Sequence, residues 1–405
     1  MASLLIRDPA QIVSPPPGVL RGPGLATPVI RTGESILVED GVIAAIAPLA
    51  DLAAAADRIG AEIIDASGRA VIPGLIDCHS HLVFAGSRID DFARRCAGAG
   101  YEEIAAAGGG IGLTVAATRR AGRVELKAIA RSHLHRALRL GTTTLEVKSG
   151  YGLDLATEMK ILEVIAELND EQPVDLVPTF LGAHAVPAGV AQADYLRQVK
   201  AMLPEIAGLA RFCDIFCEAG YFTAADALDL LESARAHGLL PRLHADQFHR
   251  IGCIEVAIAL GAASVDHLEV LSAAEIARLA ATDIACVMLP GVSLFLDLPF
   301  APGRAIIDGG CIPAVASDFN PGSNPCLSLP LAMALGCLRS GLQVGEALAA
   351  ATANAAHALR LDRRGCIAPG WQADLLLLDC ADYREMLYWY GTNQARTVIK
   401  NGRIV

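Results

Sequence analysis

Residues 71–81 read V-I-P-G-L-I-D-C-H-S-H, and this stretch decides the fold. A β-favouring apolar run leads directly into two histidines spaced i, i+2, and an extended chain aims such a pair to the same side. Taken alone, His79-Ser80-His81 is more often two polar residues leaving a strand than a ligand pair. The chain carries its own control in His133-Leu134-His135, which falls in a helical stretch where i and i+2 diverge. That second pair is expected to be exposed and without a ligand role.

Downstream of the opening run, strand-like apolar segments alternate with helix-like ones. The candidate strands are Val71–Cys78, Thr142–Lys148, Asp175–Leu181, Phe212–Cys217, Pro241–Ala245, Ser264–His267, Asp283–Leu289 and Ile312–Ser317. Leu155, Met159, Leu162 and Ala166 share one face at helical spacing between two of them. Ser272-Ala-Ala-Glu275 reads as a capping box, and Thr223-Ala-Ala-Asp226 as a weaker one. A doubly wound sheet also alternates, but eight strand–helix units in about 250 residues suit a closed barrel better. The expected fold class is α/β, a (β/α)8 TIM-like barrel.

The two ends differ from this middle. Ser35–Glu39 and Gly41–Ala47 are short β-like pieces among Pro and Gly, and Asp374–Leu378 and Thr397–Lys400 repeat the style before Asn401-Gly402, a hairpin signal. Both termini are therefore expected to build one small β-sandwich. The expected division is 1–68 and 361–405 for the sandwich and 69–360 for the barrel.

With 53% hydrophobic and 19% charged residues, the 405-residue chain has the composition of a large buried core. A formal charge of −11, without any Lys/Arg run, argues against a nucleic-acid surface. It leaves room for a small anionic substrate, since one Arg in a pocket overrides the global sign. The apolar stretch Val42 to Ala56, broken by Pro48 and Asp51, is too short for a membrane span, and no secretory signal is read at the start. Eleven scattered cysteines form no paired framework. Cys213 and Cys217 read as buried core, and reduced thiols in a cytoplasmic protein are the expectation.

The remaining histidines change the weight of the first pair. His184 follows the third strand, His244 ends the fifth, His267 ends the sixth, and Asp318 follows the eighth. So many metal-competent side chains at one rim, the C-terminal face where barrel active sites sit, are not a chance arrangement.

These residues resemble the amidohydrolase superfamily. The segments HLVFAGSR (81–88), YEEIAAAGGGI (101–111), TTTLEVKSGYGL (142–153), PTFLGAHAVP (178–187), HADQF (244–248), SDFNPG (317–322) and VIKNGRIV (398–405) are similar to the imidazolonepropionase family within it. The resemblance runs from about Ile36 to the end; the first thirty-odd residues look idiosyncratic. It implies one metal ion, zinc or iron, on His79, His81, His244 and Asp318, and a substrate pocket of Arg88, Tyr151, His184, Gln247, Asn320, Gly322 and Ser323. Arg88 suits a propanoate carboxylate as a bidentate fork, Tyr151 adds a hydrogen bond, and the amides of Asn320 and Gln247 match a ring amide. Ser323 stands where Thr is expected. Gln247 stands where related deaminases carry a proton-shuttling Glu.

The implied reaction is hydrolytic ring opening of 4-imidazolone-5-propanoate to N-formimidoyl-L-glutamate, a step of histidine degradation. Metal-activated water attacks the ring carbonyl, Asp318 serves as general base and His267 as polarising group. Dinuclear relatives bridge two ions with a carboxylated Lys after strand four. Here Cys217-Glu218 stands in that place and Lys148 ends strand two, so a mononuclear site is expected, with Glu218 the residue that could overturn it. Another cyclic amidohydrolase or ring deaminase, and an inactive scaffold, are the rival readings. The first wants Glu at 247 and no Arg88; the second wants lost ligands. A homodimer is expected.

Overall fold

The computed structural model describes residues 3–99, 103 and 109–405. Most of the segment 101–111 thus lies outside the described residues. The opening run does not form one strand. Ala70–Pro73 belongs to a terminal sheet and pairs antiparallel with Leu375–Leu378, while Leu75–Asp77 is the first barrel strand. The break falls at Gly74, whose N–H bonds Asp374. A Cβ there would stand 2.4 Å from Thr143 Oγ1, so only glycine lets the chain pass between the two sheets.

Eight parallel strands follow in sequence order: Leu75–Asp77, Thr142–Lys148, Asp175–Ala183, Phe212–Cys217, Leu240–Ala245, Ser264–His267, Ala285–Met288 and Ile312–Val315. First and last are joined just beyond their ends. Ser80 bridges Phe319 in parallel, His81 N–H bonds Phe319 O at 2.8 Å, and Asp318 N–H bonds His79 O at 2.9 Å. This seam closes the barrel, and its backbone is that of the candidate ligands.

Strand two shows how the local sequence works. All seven of its residues are buried; Leu145 and Val147 pack outward into the helix layer, which leaves Glu146 and Lys148 for the interior. Asp214, Arg242 with His244, and Asp266 likewise alternate with outward-packed Ile215, Leu243 and Val265. Both capping boxes are formed, at Thr223–Asp226 and Ser272–Glu275. The helix Leu155–Glu171 is turned relative to the expected stripe: Leu162 is buried, but Leu155 and Met159 are only half-buried and Ala166 is exposed. Ile161, Ile165 and Leu168 complete the core face instead.

The termini form two sheets. One is ordered Val42–Ala47, Ser35–Glu39, Leu4–Arg7, Glu62–Asp65; the other Arg403–Ile404, Ala395–Lys400, Leu375–Leu378, Ala70–Pro73, Gln11–Ser14, Val29–Arg31. Ile6, Ile36, Val71, Leu375 and Ile399 share the apolar core associated with them. Asn401 and Gly402, at φ 49° and 70°, turn the last hairpin. No described helix is long and apolar enough to cross a membrane.

One expectation about cysteines is overturned. Cys217, at the end of strand four, is disulfide-bonded to Cys253, which opens the helix Cys253–Leu260. The sequence offers only C-x3-C nearby, and the partner lies 36 positions on, beyond the helix Ala224–Ala236 and the strand Leu240–Ala245. Cys213 is free and buried, as read.

Candidate metal centre

Six side chains converge at the C-terminal rim of the barrel. The ligand atoms of His79, His81 and His244 lie within 4.8 Å of one another, and those of His79, His267 and Asp318 form a second, overlapping set. All five residues are buried. His184 stacks on His81 with ring centroids 5.0 Å apart, and its Nδ1 is 3.0 Å from Gly150 O.

Two of the imidazoles are oriented from behind by a carboxylate. His79 Nδ1 meets Asp266 Oδ2 at 2.6 Å, and His244 Nδ1 meets Asp214 Oδ1 at 3.1 Å. A neutral imidazole donating through Nδ1–H keeps its lone pair on Nε2. Those Nε2 atoms and Asp318 Oδ1 are buried without a hydrogen-bond partner among the described residues. Asp318 Oδ1 sits 3.5 Å from His79 Nε2 and 3.3 Å from His81 Nε2. Buried polar atoms rarely go unpaired; unpaired lone pairs turned toward one point make a cation site. The N and O donors fit a borderline metal such as zinc or iron.

Electrostatics sets His267 apart from His79, His184 and His244. Burial holds His79 and His184 well below the ordinary histidine value, and His244 also lies below it despite Asp214. Neutral imidazoles are the binding form. Burial opposes ionisation of Asp318, yet the surrounding imidazoles, His79 first, hold its carboxyl far below the usual range. His267 goes the other way. Burial would lower it, but Glu269 and the nearby aspartates raise it. Its Nδ1 lies 3.5 Å from Glu269 Oε1, which also accepts from Ser293 Oγ at 3.3 Å. His267 is thus suited to donate a proton or a hydrogen bond rather than a lone pair. It reaches the site through an unusual backbone: strand alternation after Asp266 would aim it outward, and a φ of 89° goes with its ring standing 5.3 Å from that of His244.

The expected pocket residues fall into three groups. Tyr151 is buried with its ring 5.4 Å from His184, and Gln247 is buried with no side-chain hydrogen bond among the described residues. Arg88 lies at the half-buried edge, its Nε donating to Asp91. Asp91 Oδ2 also accepts from Gly110 N–H at 3.0 Å, and although burial opposes it, these contacts hold its carboxyl below the ordinary value. A Cβ on Gly322 would stand 3.2 Å from Arg88 Nη1, so the loop after Asp318 and the guanidinium face each other.

Asn320 is hydrogen-bonded within its own loop. Its Oδ1 accepts from the N–H groups of Gly322 (2.9 Å) and Ser323 (2.7 Å), and its Nδ2 donates to Asp318 O and Ser323 Oγ. The amide builds the turn that carries Gly322 and Ser323, and so is engaged within the protein rather than free to pair with a ring. The Ser323 hydroxyl is part of the same turn.

Glu218 and Lys148 both have their partners within the protein. Glu218 is not in either ligand set; its carboxylate accepts from Ala219, Phe248 and His249 N–H groups and faces His249 Nδ1 at 2.9 Å. Lys148 is fully buried and paired at 2.8 Å with both Glu146 and Asp214. Of the control pair, His135 is exposed, but His133 is half-buried, stacked on Phe84 at 5.3 Å and edge-on to Phe319 at 5.0 Å. The two do diverge, but the helix packs on strand two and turns His133 toward Leu82, Phe84 and Phe319, while neither joins a ligand set. A recess of about 820 Å³ between Asp40, Arg364, Lys400 and Val405 shares no residue with the histidine cluster. The donor atoms, not the volume, locate the chemistry. Sequence reading missed Asp214, Asp266 and Glu269. Their signal was a charged side chain inside or just after a buried strand, which must be paired to be tolerated.

Barrel, sandwich and rim of histidines define a metal-dependent hydrolase class, and the comparisons agree. The chain belongs to the amidohydrolase family: a sequence model of that family matches residues 70–405. It is 46% identical over 408 residues to the imidazolonepropionase of Rubrobacter xylanophilus, covering 100% of this chain and 98% of that one. It is 44% identical to the imidazolonepropionase of Chloroflexus aggregans, over 99% and 98%. Its place in the family is among the imidazolonepropionases, and the first thirty-odd residues fall within the aligned length as well. Among solved structures, a zinc-bound adenosine deaminase from Xanthomonas campestris matches with TM-score 0.69 and 18% identity, over 100% and 92% of the chains. A guanine deaminase from C. acetobutylicum matches with TM-score 0.71 and 14% identity, over the full length of both. At such identities the likeness is one of fold.

Proposed function

We propose that this chain opens the ring of 4-imidazolone-5-propanoate by hydrolysis, giving N-formimidoyl-L-glutamate. The observation that carries the reading is the set of unpaired lone pairs on His79, His244 and Asp318, in a chain whose full-length relatives are imidazolonepropionases. One ion, zinc or iron, would be held by His79, His81, His244 and Asp318, and when bound it supplies Lewis acidity toward water and the ring carbonyl.

The protein's own groups account for the rest. Arg88 and Tyr151 hold the propanoate, so binding energy at a remote group positions the reacting carbonyl. His267, whose hold on a proton Glu269 strengthens, donates to the carbonyl oxygen as negative charge grows on it. Asp318 accepts the proton of the attacking water and returns it to the departing ring nitrogen as the lactam C–N bond breaks. Gln247, a neutral amide without another partner, binds the ring and carries no proton. That last point weighs against a ring deaminase, which needs a titratable group there.

The test is the ultraviolet loss of imidazolonepropanoate on adding purified protein, with guanine and hydantoin as controls. Turnover of the imidazolone alone is expected. Turnover of guanine without it would replace this reading with the deaminase one.

A further inference from the structure

Beneath the histidines lies a closed set of charges that touches neither water nor the ligand position. Lys148, Glu146, Asp214, Asp266 and Arg242 are all fully buried and come from barrel strands two, four, five and six. Lys148 Nζ is 2.8 Å from Glu146 Oε1, 2.8 Å from Asp214 Oδ2 and 3.7 Å from Asp266 Oδ2. Arg242 Nη2 donates to Asp266 Oδ2 at 2.9 Å and to Cys78 O at 2.8 Å. Ser264 Oγ donates to Asp266 Oδ1 at 2.5 Å.

Each aspartate therefore has one side fixed by a cation and presents an oxygen to a histidine. Asp214 offers Oδ2 to Lys148 and Oδ1 to His244 Nδ1. Asp266 offers Oδ2 to both Arg242 and His79 Nδ1. Two cations face three carboxylates, so the set carries one negative charge in excess.

We infer that Lys148 is a positioning residue for the metal centre: through Asp214 and Asp266 it fixes the Nδ1–H tautomer of His244 and His79, and so turns both Nε2 lone pairs toward the ion. The inference rests on the metal-site reading above and assigns the group that governs it. A carboxylate on Nδ1–H makes an imidazole a better donor at Nε2, and removing such a partner typically weakens metal binding 10- to 100-fold. Lys148 acts on two ligands at once without approaching the ion. Its place at the end of strand two, unsuited to bridging two metals, is what this role requires: an ammonium clamped by Glu146 and Asp214 stays an ammonium.

The experiment is zinc binding measured by competition with a chromophoric chelator, on the full chain, for the parent, Lys148→Met and Asp214→Asn. Asp214→Asn keeps the side-chain shape and guards against the loss of fold that an unpaired carboxylate cluster can cause in Lys148→Met. Zinc Kd is expected to rise 10- to 100-fold in each folded variant. Nitrogen-15 spectra of the histidines in zinc-free protein supply a second readout that a purely structural role would not move. The parent is expected to show His79 and His244 protonated on Nδ1, Asp214→Asn a mixture of tautomers at His244, and Lys148→Met a mixture at both. A folded variant with parental zinc Kd and unchanged tautomers would overturn the inference. A parent that takes up no zinc would overturn the metal-site reading itself, and the inference with it.

Discussion

Replacing Arg88 by Met tests whether the site recognises a carboxylate, and the structure sets the size of the effect. Its Nε is committed to Asp91, and Asp91 is itself held by Gly110 N–H, so the guanidinium is oriented before any ligand arrives. Nη1 faces Gly322 across a gap in which a Cβ would come to 3.2 Å. What remains for a ligand is the Nη edge of the fork, enough for one or two charge-assisted hydrogen bonds. Each such bond contributes about 1.5–3 kcal/mol when the partner is charged. After allowance for partial exposure, about 2–4 kcal/mol should be lost, roughly 30- to 1,000-fold in kcat/KM. The assay compares initial rates on imidazolonepropanoate and on an imidazolone lacking the propanoate. Loss is expected on the first substrate and little change on the second. Gly322→Ala should reproduce a milder version, since the added methyl presses on Nη1 and leaves the Asp91 pair in place. Equal losses on both substrates would show that Arg88 serves only to hold Asp91 and its loop, and the recognition argument would fail.

Asp318→Asn, assayed on metal-replete protein, should lower kcat by about 10²–10⁴-fold; a near-parental rate alongside an inactive His267→Ala would assign the base to His267. Gln247→Ala should raise KM while leaving substantial turnover, and abolished kcat would show that the amide takes part in chemistry. Elemental analysis should find one metal ion per chain, and Glu218→Ala should leave that count unchanged while loosening the loop at 248–249; two ions falling to one would establish a second site. Thiol titration of unfolded, unreduced protein should give nine free cysteines rather than eleven, the missing pair being Cys217 and Cys253.

Much of the barrel was legible because its strands are short runs of buried β-formers with clear ends. Thr142–Lys148, Phe212–Cys217 and Ser264–His267 fall where the sequence places them. Gly74 was not read as a break, because the need for glycine comes from Thr143 on a neighbouring strand, which local pattern does not contain. The helix 155–171 was read on the wrong stripe because Ala166 and Met159 look apolar either way, and only packing decides which face turns in. At the site, histidines at strand ends were visible because polar residues stand out against apolar runs. Asn320 carries a second signal that was not used: Asn-Pro-Gly is a turn signal, and the amide makes that turn's hydrogen bonds. The supporting carboxylates were hidden in plain view inside the strands. A buried Glu-Val-Lys or a lone Asp in a central strand is costly unless paired, and reading that cost would have pointed to Asp214 and Asp266.

The seam at Ser80–Phe319 bears on how the protein comes into being. The ribosome delivers His79 and His81 early and Asp318 near the end, and the hydrogen bonds that close the barrel join those same residues. A nascent chain lacking the last strand has an open edge and an incomplete ligand set. Ala70–Pro73 waits still longer, for Leu375–Leu378 to pair with it. The barrel can therefore shut, and bring Asp318 beside His79 and His81, only after almost the whole polypeptide has been made.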